Sequence, residues 1–191
     1  MKRLTSTIAA LLLAGGVSAS SAAFAGSAAT AELASPSMAL AGPTPTTDRA
    51  GHRRDFEQFL ERYEAANSAF LNGDPAPWLS MVTEREPASI FGGFGGFGEA
   101  GVADVYQRYL LAAGAFRASG AEVDVEYLVK DVQGRIAYTV GIERADVLYA
   151  GHTELHAQVL RVTMMFRFER GDWKIIHRHA DTMVDLQLPT P

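Results

Sequence analysis

The sequence predicts an α+β domain in which helices come first and antiparallel strands follow. Apolar residues recur at helical spacing through the first part of residues 51–191, and from about Val123 they recur at every second position. The strand-like stretches succeed one another without helices between them, which is typical of an antiparallel sheet. No internal repeat interrupts this order, so we expect a single folded domain.

Local signals place each element along the chain. Phe56, Phe59 and Tyr63 begin an apolar helical stripe, and the segment Asn72–Pro75 ends it. Gln133 and Gly134 form a turn signal in the strand region. We expect helices at about residues 53–71, 75–82 and 99–113, a short strand at 88–91, and long strands at about 122–129, 135–147, 155–169 and 173–183.

The N-terminal part reads as an export signal followed by a linker. Lys2 and Arg3 precede a short apolar run, and Ala23-Phe24-Ala25 has the small residues of a signal peptidase site. We therefore expect a signal peptide at 1–25, a disordered low-complexity linker at 26–50 and the folded domain at 51–191. Without a cysteine for a lipid anchor, the product is expected to be secreted or periplasmic.

Composition excludes several classes of protein. Hydrophobic residues make up 48% and charged residues 20% of the chain, as in a globular domain, and the run near Ile8 is too short to span a membrane. Loss of Lys2 and Arg3 with the signal takes the net charge from −5 to −7, which disfavours nucleic acid and anionic membranes. With no cysteine, the domain has neither a disulfide nor a thiol nucleophile.

A glycine-rich loop matches a nucleotide-binding pattern only in its letters. Gly93 to Gly98 reads G-x-G-x-x-G, after a short strand and before a helix. A dinucleotide site also needs parallel strands joined by crossover helices, and here four strands follow in succession. We therefore interpret the glycines as turn residues, with Phe91, Phe94 and Phe97 packing at the mouth of the domain.

The last strand carries candidate acid/base groups. His177, His179 and Asp181 are two residues apart, so regular alternation puts them on one sheet face, the same face as Trp173 and Ile175. Histidine titrates near neutral pH, and a carboxylate can orient it for acid/base catalysis.

The neighbouring strand would bring Arg161 opposite Asp181 or Met183, given a tight turn between the strands. Cross-strand packing or a subunit interface would use the same residues equally well. His-x-His also suits zinc, together with Asp181 or with His152 and His156, but no ligand set is complete, so we expect no metal and no cofactor.

The final hairpin resembles a known family. Gly171-Asp172-Trp173-Lys174-Ile175-Ile176-His177-Arg178-His179, together with Ala137-Tyr138-Thr139-Val140-Gly141, is similar to the SnoaL-like branch of the nuclear transport factor 2-like superfamily and to the association domain of calcium/calmodulin-dependent protein kinase II. The resemblance covers about residues 53–183. It implies a cone, namely a strongly curved sheet wrapped around N-terminal helices, with a pocket at its wide end and a homodimer formed through the sheet.

The resemblance leaves the function open, because such cones host both enzymes and binding domains. Similar ketosteroid isomerases have a catalytic aspartate after the first short strand, where this chain has Phe91-Gly92-Gly93. Other candidate bases are the last-strand groups and Glu143, although Glu143 to Asp146 reads as a charged rim. Tyr106 and Tyr109 lie on an apolar helical stripe and read as core.

We therefore expect the domain to bind a small, largely apolar molecule, with no nucleic-acid or membrane partner. The residues expected to bind the ligand are Arg161, Tyr138, Trp78, Phe91 and Met164, with Arg161, His177 and His179 at the polar end. The alternative is a cofactor-independent isomerase, cyclase, dehydratase or hydrolase in which His177, His179 and Asp181 are catalytic.

Overall fold

The computed structural model describes residues 45–184, with side chains described from residue 51. The predicted signal peptide and residues 26–44 of the predicted linker lie outside the described residues. The helices are α1 (Pro45–Leu71), α2 (Ala76–Met81) and α3 (Val102–Ala113). The strands are β1 (Ser89–Phe91), β2 (Glu99–Ala100), β3 (Phe116–Arg117), β4 (Asp124–Gln133), β5 (Ile136–Tyr149), β6 (Leu155–Glu169) and β7 (Asp172–Thr182). No helix in this part of the chain is both long and apolar enough to cross a membrane.

The strands form one curved, mostly antiparallel sheet in the order β2-β1-β7-β6-β5-β3, with β4 also paired to β5. Only β1 runs parallel to its neighbour β7 within this sheet. The α+β cone expected from the sequence is confirmed. The four long strands fall close to their predicted positions, whereas the two-residue strands β2 and β3 were not predicted, because so few residues carry no periodic signal.

The core lies between α1 and the inner face of the sheet. Phe56, Phe59 and Tyr63 of α1 are buried, and Phe56 packs edge-on against Phe166 of β6 and Trp173 of β7. This is the apolar stripe predicted for the first helix. Burial of large apolar side chains such as these is the dominant favourable term in folding.

The Asn72 side chain links the C-terminal end of α1 to the loop that precedes β4. Its side-chain oxygen accepts hydrogen bonds from the backbone amides of Ser119, Gly120 and Ala121, at 2.9, 2.8 and 3.1 Å. Its amide group donates to the carbonyl oxygens of Ser68 and Ala121. One asparagine side chain therefore fixes the turn that leads into β4 against the C-terminal end of α1.

A β-bulge interrupts the pairing of β6 with β7. Met165 pairs with His177 and Phe166 pairs with Ile175, so Ile176 is an extra residue on β7. A bulge shifts the alternation of side chains by one position. Trp173 and Ile175 face the core before the bulge, and Arg178 and Ala180 face it afterwards.

Candidate functional site

A cavity opens between the three helices and the concave face of the sheet. Its volume open to water is about 60 Å³, and about 550 Å³ of space lies between its walls when the mouth is included. Most of the wall is apolar, and the polar lining comes from a few residues on different elements. The lining residues are Asn67, Phe70, Leu71, Trp78, Ile90, Gly92, Gly93, Phe94, Arg108, Tyr109, Ala112, Phe116, Glu143, Gln158, Leu160 and Arg178. We call this space the cone cavity.

A buried ion pair borders the cone cavity. Arg178 Nη1 and Nη2 donate to the two carboxylate oxygens of Glu143 at 2.9 and 2.6 Å, in a bidentate arrangement. Arg178 Nη1 also donates to the Tyr63 hydroxyl at 3.1 Å, and that hydroxyl donates to Glu143 Oε1. The guanidinium carbon lies 5.4 Å from the centre of the Trp78 ring. The pair thus joins β5 to β7 and contacts side chains of α1 and α2.

These contacts determine the protonation of the pair. Burial raises the pKa of the Glu143 carboxyl, but the charge of Arg178 and hydrogen bonds from Arg178 and Tyr63 outweigh burial and lower the pKa below its ordinary value. Burial lowers the pKa of Arg178, but the nearby Glu143 carboxylate outweighs it and raises the pKa. Glu143 is therefore ionised at neutral pH and is a poor base.

Three buried polar atoms that line the cone cavity have no hydrogen-bond partner among the described residues. They are Asn67 Nδ2, Trp78 Nε1 and the Tyr109 hydroxyl. The Trp78 and Tyr109 rings lie 5.6 Å apart, with the indole N–H beside the hydroxyl, and the Asn67 amide lies beside the Glu143 carboxylate. Leaving such groups unpaired costs about 1–3 kcal/mol each. The three groups line the same cavity as the Glu143–Arg178 ion pair.

The mouth of the cone cavity is lined by aromatic rings and by the glycine-rich loop. The Phe94 ring lies 5.6 Å from the Phe116 ring, which stacks on Tyr149. Arg108 donates to the carbonyl oxygen of Gly95 and lies 3.6 Å from a Glu99 oxygen. The glycine-rich loop therefore serves as one wall of the cavity, and Phe94 packs at its mouth as predicted.

Phe97, by contrast, is fully exposed. The prediction that this ring packs at the mouth is wrong. Gly95, Gly96 and Gly98 on either side of it have positive φ angles, so the loop turns the ring away from the domain.

The structure corrects the expected position of the last-strand histidines. Because of the bulge at Ile176, His177, His179 and Asp181 lie on the face opposite Trp173 and Ile175, so the prediction of a shared face is wrong. They are on the outer face of the sheet and do not line the cone cavity. Their predicted catalytic role stays a prediction.

Arg161, His177, His179 and Asp181 nevertheless lie close together on the outer face, as the sequence predicts. Arg161 pairs with Asp181 and donates to its carboxylate at 3.1 and 2.6 Å, which confirms their expected cross-strand position. His177 Nδ1 lies 2.8 Å from the Ser89 hydroxyl. Burial and the neighbouring His179 lower the pKa of His177 below its usual range. Arg161 is therefore engaged by Asp181 away from the cone cavity. The expectation that Arg161, His177 and His179 form the polar end of a ligand pocket stays a prediction.

The other predicted ligand-binding residues fall in different places. Trp78 lines the cone cavity. Met164 is buried behind it, with its sulfur 3.6 Å from Arg178 Nη1. Tyr138 is half-exposed and pairs with Met165, and Phe91 is exposed beside His179 on the outer face. The predicted set is thus split between the two sides of the sheet.

Several residues of the cavity were missed or misjudged from the sequence. The sequence pattern does not predict Arg178, and it predicts a charged rim at Glu143, which is buried in the structure. The signal for Arg178 was the adjacent pair Ile175 and Ile176, which breaks the alternation and marks the bulge. Tyr109 was predicted as core; it is buried, but it also lines the cavity.

Within residues 51–184 no group of three or more histidine, aspartate or glutamate side chains is arranged to hold a metal ion. His156 Nε2 and His152 Nδ1 lie 3.1 Å apart near the β5–β6 turn.

The sequence pattern of the SnoaL-like domain matches residues 56–185, which is most of the chain. The chain belongs to the SnoaL-like domain family. No curated protein matches the sequence.

Solved structures show the same SnoaL-like fold at low sequence identity. A candidate dehydratase of the NTF2-like family from Streptomyces avermitilis is 20% identical, with a TM-score of 0.55 over 70% of this chain and 99% of that one. A candidate scytalone dehydratase from Novosphingobium aromaticivorans is 18% identical, with a TM-score of 0.56 over 75% and 93%. A candidate calcium/calmodulin-dependent protein kinase II association domain from Xanthomonas campestris is 11% identical, with a TM-score of 0.54 over 70% and 89%. The superfamily expected from the last hairpin is confirmed.

Proposed function

We propose that this SnoaL-like domain binds a small, largely apolar molecule in the cone cavity, without catalysis. One observation carries the proposal: Asn67, Trp78 and Tyr109 have unpaired, buried polar atoms and line one cavity with otherwise mostly apolar walls. A bound molecule that forms hydrogen bonds with these atoms offsets their desolvation cost, and this favours binding.

Catalysis has less support at this site. An acid/base enzyme needs a group whose pKa lies near the working pH. Glu143 is the carboxylate of the cone cavity, and Arg178 holds its pKa below the ordinary value. Tyr109 has the opposite shift, because burial raises its pKa to about 12. Both groups keep their charge state through the neutral range, which suits binding.

The test is the identification of a co-purified molecule by mass spectrometry of protein purified from its native host. Ala112 lines the cone cavity, so Ala112→Leu fills part of it, whereas Ala103 on the same helix is exposed and Ala103→Leu serves as the matched control. We expect one molecule to accompany the wild type and Ala103→Leu but not Ala112→Leu. Equal amounts with all three proteins, or none with any, would refute binding in the cavity. Incubation should leave that molecule unchanged, and formation of a product would favour the enzyme alternative.

Export is a second part of the proposal, supported by the sequence pattern of residues 1–25. We expect the mature protein in the native host to begin at Gly26 and to be found in the periplasm or the medium. N-terminal sequencing of the purified protein tests this. A protein that retains Met1 to Ala25 in the cell would contradict it.

The homodimer expected from the family resemblance is also proposed, through the outer face of the sheet. Tyr138 and Met165 on that face are large, mainly apolar side chains that are more than one-third exposed. Met165→Glu should convert a dimer into a folded monomer, while Leu111→Glu on the exposed side of α3 should not. Light scattering measures this, and a wild-type monomer at micromolar concentration would remove the proposal.

A further inference from the structure

The three unpartnered groups of the cone cavity can all donate a hydrogen bond at neutral pH, and the Tyr109 hydroxyl can also accept one. An indole N–H and an amide NH₂ only donate. The Tyr109 hydroxyl keeps its proton because burial raises its pKa to about 12. Donors supplied by Asn67, Trp78 and Tyr109 pair with an acceptor, so the complementary atom of a ligand is an oxygen with free lone pairs.

The charge at this end of the cavity is already balanced. Glu143 and Arg178 bind each other through two hydrogen bonds, and Arg178 also donates to the Tyr63 hydroxyl. A ligand carboxylate near the three donors would lie close to the Glu143 carboxylate, and a ligand ammonium would lie close to Arg178. Both charged forms would also be desolvated by the apolar wall, which is costly without a dedicated counter-ion.

The second arginine of the cavity does not change this balance. Arg108 lies at the glycine-rich loop, where it donates to Gly95 and is near Glu99. The Arg108 guanidinium is therefore held at the glycine-rich loop, away from Asn67, Trp78 and Tyr109.

From these contacts we infer that the ligand is uncharged and presents a carbonyl-type oxygen to Asn67, Trp78 and Tyr109. Its remaining skeleton is apolar and contacts Phe70, Phe116 and Leu160 on the cavity wall. This inference rests on the proposed function and adds the chemical class of the ligand. A ketone, ester or lactone oxygen fits the donor set, whereas a pure hydrocarbon leaves the donors unpaired.

Four one-ring probes separate these chemistries. Acetophenone carries the ketone, ethylbenzene has the same skeleton without it, benzoate is an anion and benzylamine is a cation. Binding to the full chain is measured by calorimetry and by the shift of the melting temperature. We expect acetophenone to bind at least about tenfold more tightly than each of the other three, the equivalent of one good hydrogen bond.

A conservative pair of variants tests the donors directly. Tyr109→Phe removes one donor and keeps the ring. It should therefore weaken the binding of acetophenone about tenfold and leave the binding of ethylbenzene unchanged. Tyr106→Phe is the matched control, because the Tyr106 hydroxyl donates to the Leu79 carbonyl and Tyr106 does not line the cone cavity. It should leave acetophenone binding unchanged. Near-ultraviolet circular dichroism checks that both variants keep the native packing.

The outcomes distinguish this inference from the proposed function. If acetophenone and ethylbenzene bind equally, or Tyr109→Phe changes neither, the cavity is a binding site but the donors do not select the ligand. If benzoate or benzylamine binds most tightly, the inference of an uncharged ligand is overturned. If none of the probes binds, the inferred ligand class is wrong, and the proposed function then depends on the co-purification result alone.

Discussion

Glu143 and Arg178 form a buried bidentate ion pair across two strands that are not neighbours in the sheet. Glu143 lies on β5 and Arg178 on β7, with β6 between them, and their side chains meet on the concave side at 2.6 and 2.9 Å. Tyr63 of α1 completes the group. The pair therefore ties the helix to the curved sheet and also forms the charged border of the cone cavity.

Removal of one partner of this pair should be strongly destabilising. Arg178→Met leaves the Glu143 carboxylate buried and unpaired, so we expect a loss of about 3–5 kcal/mol in the free energy of unfolding. Arg161→Met breaks a similar bidentate pair with Asp181, but those side chains are about half exposed. That variant should cost less than about 1 kcal/mol. Urea denaturation of both variants checks the contrast, and similar losses would contradict it.

The same tyrosine-to-phenylalanine substitution should have opposite effects at two positions. Tyr63→Phe removes a hydroxyl that donates to Glu143 and accepts from Arg178, so it should cost about 1.5–3 kcal/mol. Tyr109→Phe removes a buried hydroxyl without a partner among the described residues, so the ligand-free protein should be as stable as the wild type or more stable. Equilibrium unfolding measures both, and a comparable loss at Tyr109 would show that its hydroxyl is satisfied.

Stability should fall at acidic pH through Glu143. Its pKa is lowered in the folded state, so the unfolded chain takes up the proton first as the pH falls. The stabilisation is present above the ordinary pKa of about 4.5 and is lost as the pH falls from there toward the folded pKa. Glu143→Gln should be less stable than the wild type at pH 7 but should lose less stability as the pH falls below 4.5. If the free energy of unfolding falls equally steeply with pH below 4.5 in the wild type and in Glu143→Gln, the prediction is contradicted.

Two glycine-to-alanine substitutions should change the stability of the domain in opposite directions. A Cβ on Gly141 would lie 2.6 Å from the backbone oxygen of Glu126, at the bulge between β4 and β5, so Gly141→Ala should cost about 1–3 kcal/mol. Gly51 lies in α1, and a Cβ there would meet no atom within 4 Å, so Gly51→Ala should stabilise by up to about 1 kcal/mol. Thermal denaturation distinguishes the two, and shifts of the same sign would contradict the contrast.

The architecture was predictable because periodicity reports burial within one element. The helical stripe through Phe56, Phe59 and Tyr63 and the alternation along the long strands each depend on residues close in sequence. The bulge at Ile176 is a single extra residue, yet it exchanges the faces of His177 and Arg178. A strict two-residue period therefore assigned the histidines to the wrong side.

The site was less predictable because its parts come together only in three dimensions. Tyr63 lies 80 residues from Glu143 and 115 residues from Arg178. Local charge around Glu143, including Arg144 and Asp146, indicated a solvated rim, and no local pattern indicates that a distant arginine pairs with one of these carboxylates. Asn67 and Tyr109 lie beside apolar positions on their helices, so their role at the cavity depends on how the helices pack.

The most direct test of ligand binding in the cone cavity uses the two tryptophans of the chain. Both indole N–H groups are buried without a hydrogen-bond partner among the described residues, but only Trp78 lines the cone cavity, whereas Trp173 packs against Phe56 in the core. In ¹H–¹⁵N spectra, with signals assigned by Trp78→Phe, acetophenone should shift the indole signal of Trp78 and leave that of Trp173 in place. A shift of Trp173 alone, or of neither signal at saturating acetophenone, would contradict a carbonyl ligand held by the donors of the cone cavity.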